Sequence, residues 1–111
     1  EILIAHTPYY TGKVLYMNAG YAGGLQAHRQ KTETFFLFSG RALVTTDTGD
    51  GLLTSWEMQP GESYHIPAGA VHKVEAIEDC VLFECSTPHF EDRVRMEATY
   101  GLPDTGGLLT T

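Results

Sequence analysis

Residues 24–33 read GLQAHRQKTE, and six further residues lead to Gly40. A second stretch starts at Gly61, reaches the tripeptide PAG at residues 67–69 after five residues, and ends at His72. Glycine and proline at such positions are typical of tight turns between short strands. Both stretches therefore predict a strand, a turn and a further strand.

The same pattern continues along the chain. Glycine and proline recur at the spacing of roughly 8–12 residues that is typical of a sandwich or barrel, and the segments between them are rich in β-branched and aromatic residues. We predict one all-β domain over residues 1–111, with a barrel at about residues 2–86 and a C-terminal arm at about residues 87–111. Strands are expected at residues 2–5, 13–19, 25–30, 34–38, 42–46, 52–58, 63–66, 71–77 and 80–85.

Composition narrows the classes of partner. The chain has 111 residues, of which 42% are hydrophobic, and this is enough for one buried core. Its formal net charge is −7, which argues against nucleic acid because phosphates need patches of Lys and Arg. No apolar run approaches the roughly 18–20 residues that span a bilayer, and no signal-peptide pattern is present. We therefore expect a cytoplasmic protein that binds neither nucleic acid nor a membrane.

Four polar residues in the two quoted stretches are candidate metal ligands. Side chains two apart in a strand lie on one face, so we expect His28 and Gln30 to point together. Glu33 follows a turn and can return to that face, and His72 arrives from another strand. Two imidazoles, a carboxylate and an amide oxygen suit divalent Mn, Fe, Co, Ni or Zn. A set of four or fewer protein ligands also leaves positions for water or substrate.

The two stretches resemble the two conserved motifs of the cupin superfamily, usually G-x5-H-x-H-x(2–4)-E-x6-G and G-x5-P-x-G-x2-H-x3-N. The matching residues in this sequence are His28, Gln30, Glu33, Gly40, Gly61, Pro67, Gly69 and His72. Gln30 stands where the family usually has a second histidine, and Ala76 stands where it has the final asparagine. The resemblance implies a double-stranded β-helix, the jelly-roll barrel, around one divalent metal ion. It also implies a homodimer.

A closer resemblance is to the cupin domain of type II phosphomannose isomerases and related small sugar-isomerase-like cupins. It is carried by residues 25–34 (LQAHRQKTET), 61–67 (GESYHIP) and 71–75 (VHKVE), and by the tail at residues 92–101. It implies a protein that interconverts aldose and ketose forms of a sugar or sugar phosphate through a metal-stabilised enediolate. Glu33 or His65 is then expected to be the catalytic base. Candidates for binding the substrate are Lys31, Arg41, Tyr64 and Lys73.

Two other functions stay open at this point. Gln30 in place of a histidine favours a non-catalytic sugar-binding or regulatory cupin. The set of His28, Glu33 and His72 also matches a two-histidine, one-carboxylate iron centre, which favours a metal-dependent dioxygenase. Oxygen consumption with a small carbon acid or thiol would separate the dioxygenase from the isomerase.

Overall fold

The computed structural model describes residues 1–103, which form ten β-strands and one short 3₁₀ turn at Ala98–Tyr100. No helix in this part of the chain is long and apolar enough to cross a membrane. The last residues of the predicted C-terminal arm, 104–111, lie outside the described residues. In chain order the strands are β1 (Ile2–His6), β2 (Thr11–Met17), β3 (Gln26–His28), β4 (Glu33–Ser39), β5 (Ala42–Asp47), β6 (Leu53–Met58), β7 (Ser63–Ile66), β8 (His72–Ala76), β9 (Cys80–Ser86) and β10 (Arg93–Arg95).

The strands form two five-stranded antiparallel sheets. The first sheet has the order β1-β2-β9-β4-β7, and the second has the order β10-β3-β8-β5-β6. Consecutive strands therefore alternate between the sheets in several places, as in a jelly roll, and the prediction of a single all-β jelly-roll domain is confirmed.

Two strands differ from the prediction in ways that matter for the site. β3 ends at His28, whereas the sequence predicted a strand that continues to Gln30. The polar segment after residue 90 supplies β10, which pairs with β3 so that Arg93 lies opposite His28 and Arg95 lies opposite Gln26. The arm therefore completes the second sheet beside the candidate ligands.

The core lies between the sheets and follows the alternation of the longer strands. In β4, β5 and β9 every second side chain is buried, which is the pattern of a strand with one face against a core. Leu37 and Leu82, opposite each other in the first sheet, are fully buried. The buried hydrophobic cluster consists of Leu15, Phe35, Leu37, Ala42, Val44, Met58, Ile66, Ala76, Cys80 and Leu82.

Gly40, the last residue of the first quoted stretch, lies in the turn between β4 and β5, where there is no room for a side chain. Its φ is 88°, in the left-handed region that favours glycine. A Cβ atom at this position would lie 2.2 Å from the carbonyl oxygen of Asp79. The glycine therefore lets the chain cross from the first sheet to the second at close range.

Candidate metal centre

Three of the predicted ligands meet between the sheets. His28 ends β3, Glu33 begins β4 and His72 begins β8, and all three side chains are buried. Glu33 Oε1 lies 3.5 Å from His28 Nε2 and 3.1 Å from His72 Nε2. One potential ligand atom from each residue lies within 4.8 Å of the other two, which is close enough for a shared metal ion.

The backbone around the ligands is fixed by hydrogen bonds from two distant segments. The amides of Gln30 and Lys31 donate to Asp92 Oδ2 at 2.7 and 2.8 Å, so the turn between β3 and β4 is tied to the C-terminal segment. The amide of Gly69 donates to the carbonyl oxygen of His28 at 2.7 Å, which joins the turn before β8 to the end of β3. These contacts bring both quoted stretches to one point.

The tautomer of His72 shows that the group fits a metal ion. Its Nδ1 lies 3.0 Å from the carbonyl oxygen of Ala70, and because a carbonyl only accepts, Nδ1 carries the proton. In a neutral imidazole Nε2 then presents a lone pair, which faces Glu33 Oε1. Within residues 1–103 neither of these buried atoms has a hydrogen-bond partner. Two acceptors at this distance need a cation, either a proton or a metal ion.

The structure places Gln30, the amide ligand predicted from sequence, outside the cluster of His28, Glu33 and His72. Gln30 is exposed and lies beyond the end of β3, so the strand alternation that was to align it with His28 no longer applies. Gln26, two residues before His28 in the same strand, is buried instead and lies opposite His72. Its Oε1 has no hydrogen-bond partner in the described part of the chain. The signal that could have found it is the same two-residue spacing, counted backwards from His28.

Two residues that the sequence analysis missed extend the site into a buried charge network. Lys31 Nζ lies 3.0 Å from Glu33 Oε2 and 3.4 Å from Glu84 Oε2, and Lys13 Nζ lies 3.9 Å from Glu84 Oε2. All four side chains are at most 3% exposed. Lys13 on β2 and Glu84 on β9 are paired across the first sheet. Alternating positive and negative groups thus continue from the ligands into the barrel.

The network changes the acidity of its members. Burial and the nearby charge of Glu33 raise the pKa of Glu84 to about 8, despite the opposing effect of Lys31. Burial also acts to raise the pKa of Glu33, but the imidazoles of His28 and His72, when their Nε2 atoms carry the proton, together with the Lys31 ammonium outweigh it and hold that pKa well below its usual range. Burial lowers the pKa of Lys31, but its two carboxylate neighbours raise it further. Glu33 is therefore ionised, and Glu84 is able to hold a proton near neutral pH.

The network opens into a cavity of about 410 Å³ between the sheets. Gln26, Glu33, His72 and Glu84 contribute to its polar end. The remaining wall is mixed, and its residues include Leu15, Tyr16, Met17, Asn18, Tyr21, Phe35, Val74 and Leu82. A pocket of this size with a few convergent polar groups is typical of small-molecule sites.

The structure places the predicted base His65 away from the site. Its side chain is exposed, and Nδ1 lies 3.1 Å from the hydroxyl of Thr34, to which it is paired across β7 and β4. Thr34 alternates with the buried Glu33 and Phe35, so this pair lies on the outer face of the first sheet. His65 therefore lies on the opposite side of the first sheet from Glu33.

Among the four predicted substrate-binding residues, only Lys31 lies at the site. Arg41 is exposed and pairs with Glu57. Lys73 lies 3.6 Å from Glu75, and the alternation of β8 directs it away from the cavity that His72 enters. Tyr64 packs edge-on against Trp56, with ring centres 4.9 Å apart, at the opposite edge of the sheets. The side chains of these three residues therefore lie outside the cluster formed by His28, Glu33 and His72.

Comparison with known proteins agrees with this architecture. The sequence profile of the Cupin domain family matches residues 13–85, about two thirds of the chain. The chain is a cupin. A comparison with curated proteins finds no match to this cupin.

Among solved structures, this cupin is similar to KdgF from Halomonas sp., with a TM-score of 0.71, 20% identity, and coverage of 81% of this chain and 78% of that one. It is similar to the capsular polysaccharide assembling protein CapF from Staphylococcus aureus, with a TM-score of 0.68, 18% identity, and coverage of 85% and 31%. The DMSP lyase DddQ from Ruegeria pomeroyi has a TM-score of 0.66, 19% identity, and coverage of 80% and 44%. At these identities the similarity shows the fold alone. The cupin spans less than half the length of CapF and DddQ.

Proposed function

We propose that this cupin binds one divalent transition-metal ion and moves a proton on a small carbohydrate, as an aldose–ketose isomerase does. The ligands are His28, Glu33 and His72. Gln26 Oε1 is the fourth donor.

The pair formed by His72 Nε2 and Glu33 Oε1 carries the metal part of the proposal. Both atoms are buried, they face each other at 3.1 Å, and each has a lone pair to offer. Imidazole nitrogen with carboxylate oxygen suits Mn, Fe, Co, Ni or Zn. The hydrogen bond from His72 Nδ1 to the carbonyl of Ala70 is the kind of outer contact that orients a histidine ligand.

The carbohydrate part of the proposal draws on the cavity. Asn18, Tyr21 and Gln26 bring amide and hydroxyl groups to a wall that is otherwise largely apolar, with Leu15 and Leu82 among its residues. A few polar groups on an apolar wall can orient a small ligand with several hydroxyls. The structurally similar CapF is a capsular polysaccharide assembling protein, and it supports only this substrate class.

Glu84 is the residue that we assign to proton transfer, in place of His65. When bound, the metal ion would polarise the oxygens of the sugar and so acidify the adjacent C–H. Glu84 in its ionised form then takes the proton from one carbon and returns it to the neighbouring carbon, while the hydroxyl proton passes from one sugar oxygen to the other, so that no proton is gained or lost overall. Lys31 contacts both Glu84 and Glu33 and holds their carboxyl groups at the polar end of the cavity.

Metal content is the first test. In untagged protein purified without chelator, plasma mass spectrometry should find close to one transition-metal ion per chain, or reach that level after metal challenge. His72→Ala should lose the metal, because it removes a ligand. Gln30→Ala and His65→Ala are the matched controls, since both side chains are exposed, and they should retain it. A wild-type chain that stays metal-free after challenge would refute the proposal.

Solvent exchange tests the chemistry separately. Aldoses, ketoses and their phosphates are incubated in D₂O with the metal-loaded protein, and deuterium next to the carbonyl carbon is followed by NMR. Glu84→Gln should lose this exchange and keep the metal. If calorimetry shows that the wild type binds a sugar but no exchange occurs, the chain is the non-catalytic sugar-binding cupin.

A dioxygenase is the second candidate, because the three clustered residues are two histidines and one carboxylate. This set leaves open positions on an iron ion, as oxygen chemistry requires. Oxygen uptake by the Fe²⁺-loaded protein with small carbon acids or thiols tests it. Glu84→Gln should leave such uptake largely intact, whereas it should stop isomerisation.

A further inference from the structure

The loop between β2 and β3, residues 18–25, forms one wall of the cavity outside its polar end. Asn18, Tyr21 and Gly23 of this loop line the cavity. The loop reads NAGYAGGL, and a glycine-rich loop of this kind can bind a phosphate group when its backbone amides are free to donate. The hydrogen bonds of the loop therefore decide whether it can take a phosphorylated substrate.

Three amides of this loop donate to carbonyl oxygens of the chain itself. The amides of Gly20 and Gly23 donate to the carbonyl oxygens of Ala76 and Val74 at 2.8 and 3.1 Å, which ties the loop to β8. The amide of Tyr21 donates at 2.9 Å to a carbonyl oxygen within the loop. An amide has one hydrogen to donate, so these three are not available to a phosphate oxygen.

A fourth amide of the loop is occupied by a carboxylate of the chain. The amide of Ala19 donates to Asp79 Oδ1 at 2.7 Å. Asp79 thus provides the negative oxygen that a phosphate would otherwise bring to this amide. Because like charges repel, it also opposes a second anion close to the loop.

The positively charged side chains lie outside the cavity wall. In the part of the chain that the structure describes, none of the seven Lys and Arg residues lines the cavity. Lys13 and Lys31 are buried next to Glu84, and Arg95 Nη1 lies 3.9 Å from Glu97 Oε1. The wall instead presents neutral amide and phenol groups together with carboxyl groups.

We propose that the substrate is an uncharged sugar and that the cavity discriminates against sugar phosphates, an inference that rests on the proposed isomerase function. A phosphate monoester carries a charge of roughly −1.5 to −2 near neutral pH, and it needs Lys, Arg or free amides as partners once it leaves water. Sugar hydroxyls are neutral and both donate and accept, so the side chains of Asn18 and Tyr21 suffice for them. The net charge of −7 adds long-range repulsion of anions.

The metal centre does not provide the missing partner. A metal ion held by His28, Glu33 and His72 would bind the reacting oxygens of the sugar. In a terminal sugar phosphate the phosphate group is attached at the other end of the carbon chain from the carbonyl. That end of the substrate meets the part of the wall without Lys or Arg.

Pairs of substrates test the charge preference. The protein is metal-challenged and incubated in D₂O with D-mannose, D-glucose, D-fructose, D-arabinose or D-ribose and, in parallel, with the terminal phosphate of each sugar. Deuterium uptake next to the carbonyl carbon should be at least about tenfold faster for the best free sugar than for its phosphate. A phosphate that exchanges as fast as its free sugar, or faster, would overturn the preference and leave the isomerase function intact.

Calorimetry separates the charge preference from the proposed function. If neither the sugars nor the phosphates exchange deuterium, the isomerase function fails, and binding to the same metal-challenged protein decides about charge. The best-bound free sugar should then bind at least about tenfold more tightly than its phosphate. Equal or tighter binding of the phosphate, or binding of neither, would overturn the preference.

A cation placed in the wall tests the cause of the preference. Asn18→Lys should shift the ratio of phosphate to free-sugar affinity toward the phosphate by at least about tenfold, because the new ammonium pairs with the phosphate. Gln59→Lys is the matched control, since it makes the same change of charge in the exposed turn between β6 and β7, outside the wall, and should leave the ratio unchanged.

Two results with these variants would contradict the proposal. One is an unchanged ratio in Asn18→Lys, and the other is an equal shift in both variants. Circular dichroism verifies that each variant is folded. Should Asn18→Lys unfold, Tyr21→Lys repeats the test from another position of the same wall, with the same expected shift.

Discussion

The inner face of the first sheet contains Lys and Glu side chains among its buried apolar residues, whereas the strands of its outer face contain none. A sheet that packs on one side normally buries apolar residues and exposes polar ones. Here the inner face buries Lys13, Glu33 and Glu84 next to its leucines, while the strands of the outer face carry no charge. The ionisable groups of the inner face tolerate burial because each lies within 4 Å of a group that is able to carry the opposite charge. The buried Lys and Glu side chains thus mark the candidate metal centre on one side of the sheet, while the other side exposes apolar groups.

The largest loss of stability is expected when Lys31 is removed from the inner face. Lys31→Met leaves the buried carboxyl groups of Glu33 and Glu84 without their shared partner, which should lower the free energy of unfolding by about 3–5 kcal/mol. Urea denaturation measures the change. Arg41→Met, which removes an exposed cation with its own acidic partner, is the control and should leave the midpoint nearly unchanged. If both variants lost the same amount of unfolding free energy, the buried network would contribute no more to stability than an exposed ion pair does.

Glu84→Gln should change how the stability of the folded chain depends on pH. The folded chain retains the proton on Glu84 up to about pH 8, whereas an unfolded chain releases it near pH 4.3. Between these values the folded state binds more protons, so wild-type stability falls as pH rises. Glutamine lacks this titration, and the variant should be more stable than the wild type by about 1–3 kcal/mol at pH 9, with a smaller difference at pH 5. Thermal unfolding in EDTA measures this, and parallel pH profiles would contradict it.

Asp92→Ala tests the loop that leads into the inner face. Burial acts to raise the pKa of Asp92, but the amides of Gln30 and Lys31 outweigh it and hold that pKa below its usual value. Loss of these two hydrogen bonds should cost about 1 kcal/mol of unfolding free energy at pH 7. The difference in unfolding free energy between Asp92→Ala and the wild type should shrink as pH falls and the wild-type Asp92 carboxylate becomes protonated, because the wild type then loses the same hydrogen bonds. Metal affinity should weaken as well, since the loop lies between His28 and Glu33.

The smallest change in stability is expected for a substitution on the outer face of the first sheet. Phe38→Glu changes an exposed side chain, so its unfolding free energy should differ from wild type by less than about 0.5 kcal/mol. Dilute-protein urea denaturation checks this. A large loss of unfolding free energy would mean that the Phe38 side chain stabilises the fold.

Local signals in the sequence predicted most of the strands and one pair of functional segments. Turn residues placed the boundaries of β7 and β9 to within one residue, because Gly and Pro act on the backbone around them. The same signals failed at β3, where the strand ends at His28 through hydrogen bonds to Asp92 and Gly69. Those partners are distant in sequence, so local pattern could not reveal that Gln26 rather than Gln30 faces the site.

Strand period and turn chemistry are local properties, and from them the sequence predicted a single all-β domain. The resemblance to the cupin motifs, which contain His28, Glu33 and His72, implied the jelly roll. Which face of each strand is buried became visible only in the tertiary structure. It placed Lys13 and Glu84 inside, opposite each other on β2 and β9, and it placed His65 outside. The physical reason is that a side-chain period of two defines two faces but does not name the buried one. That choice depends on the pairing and packing of strands far apart in the chain.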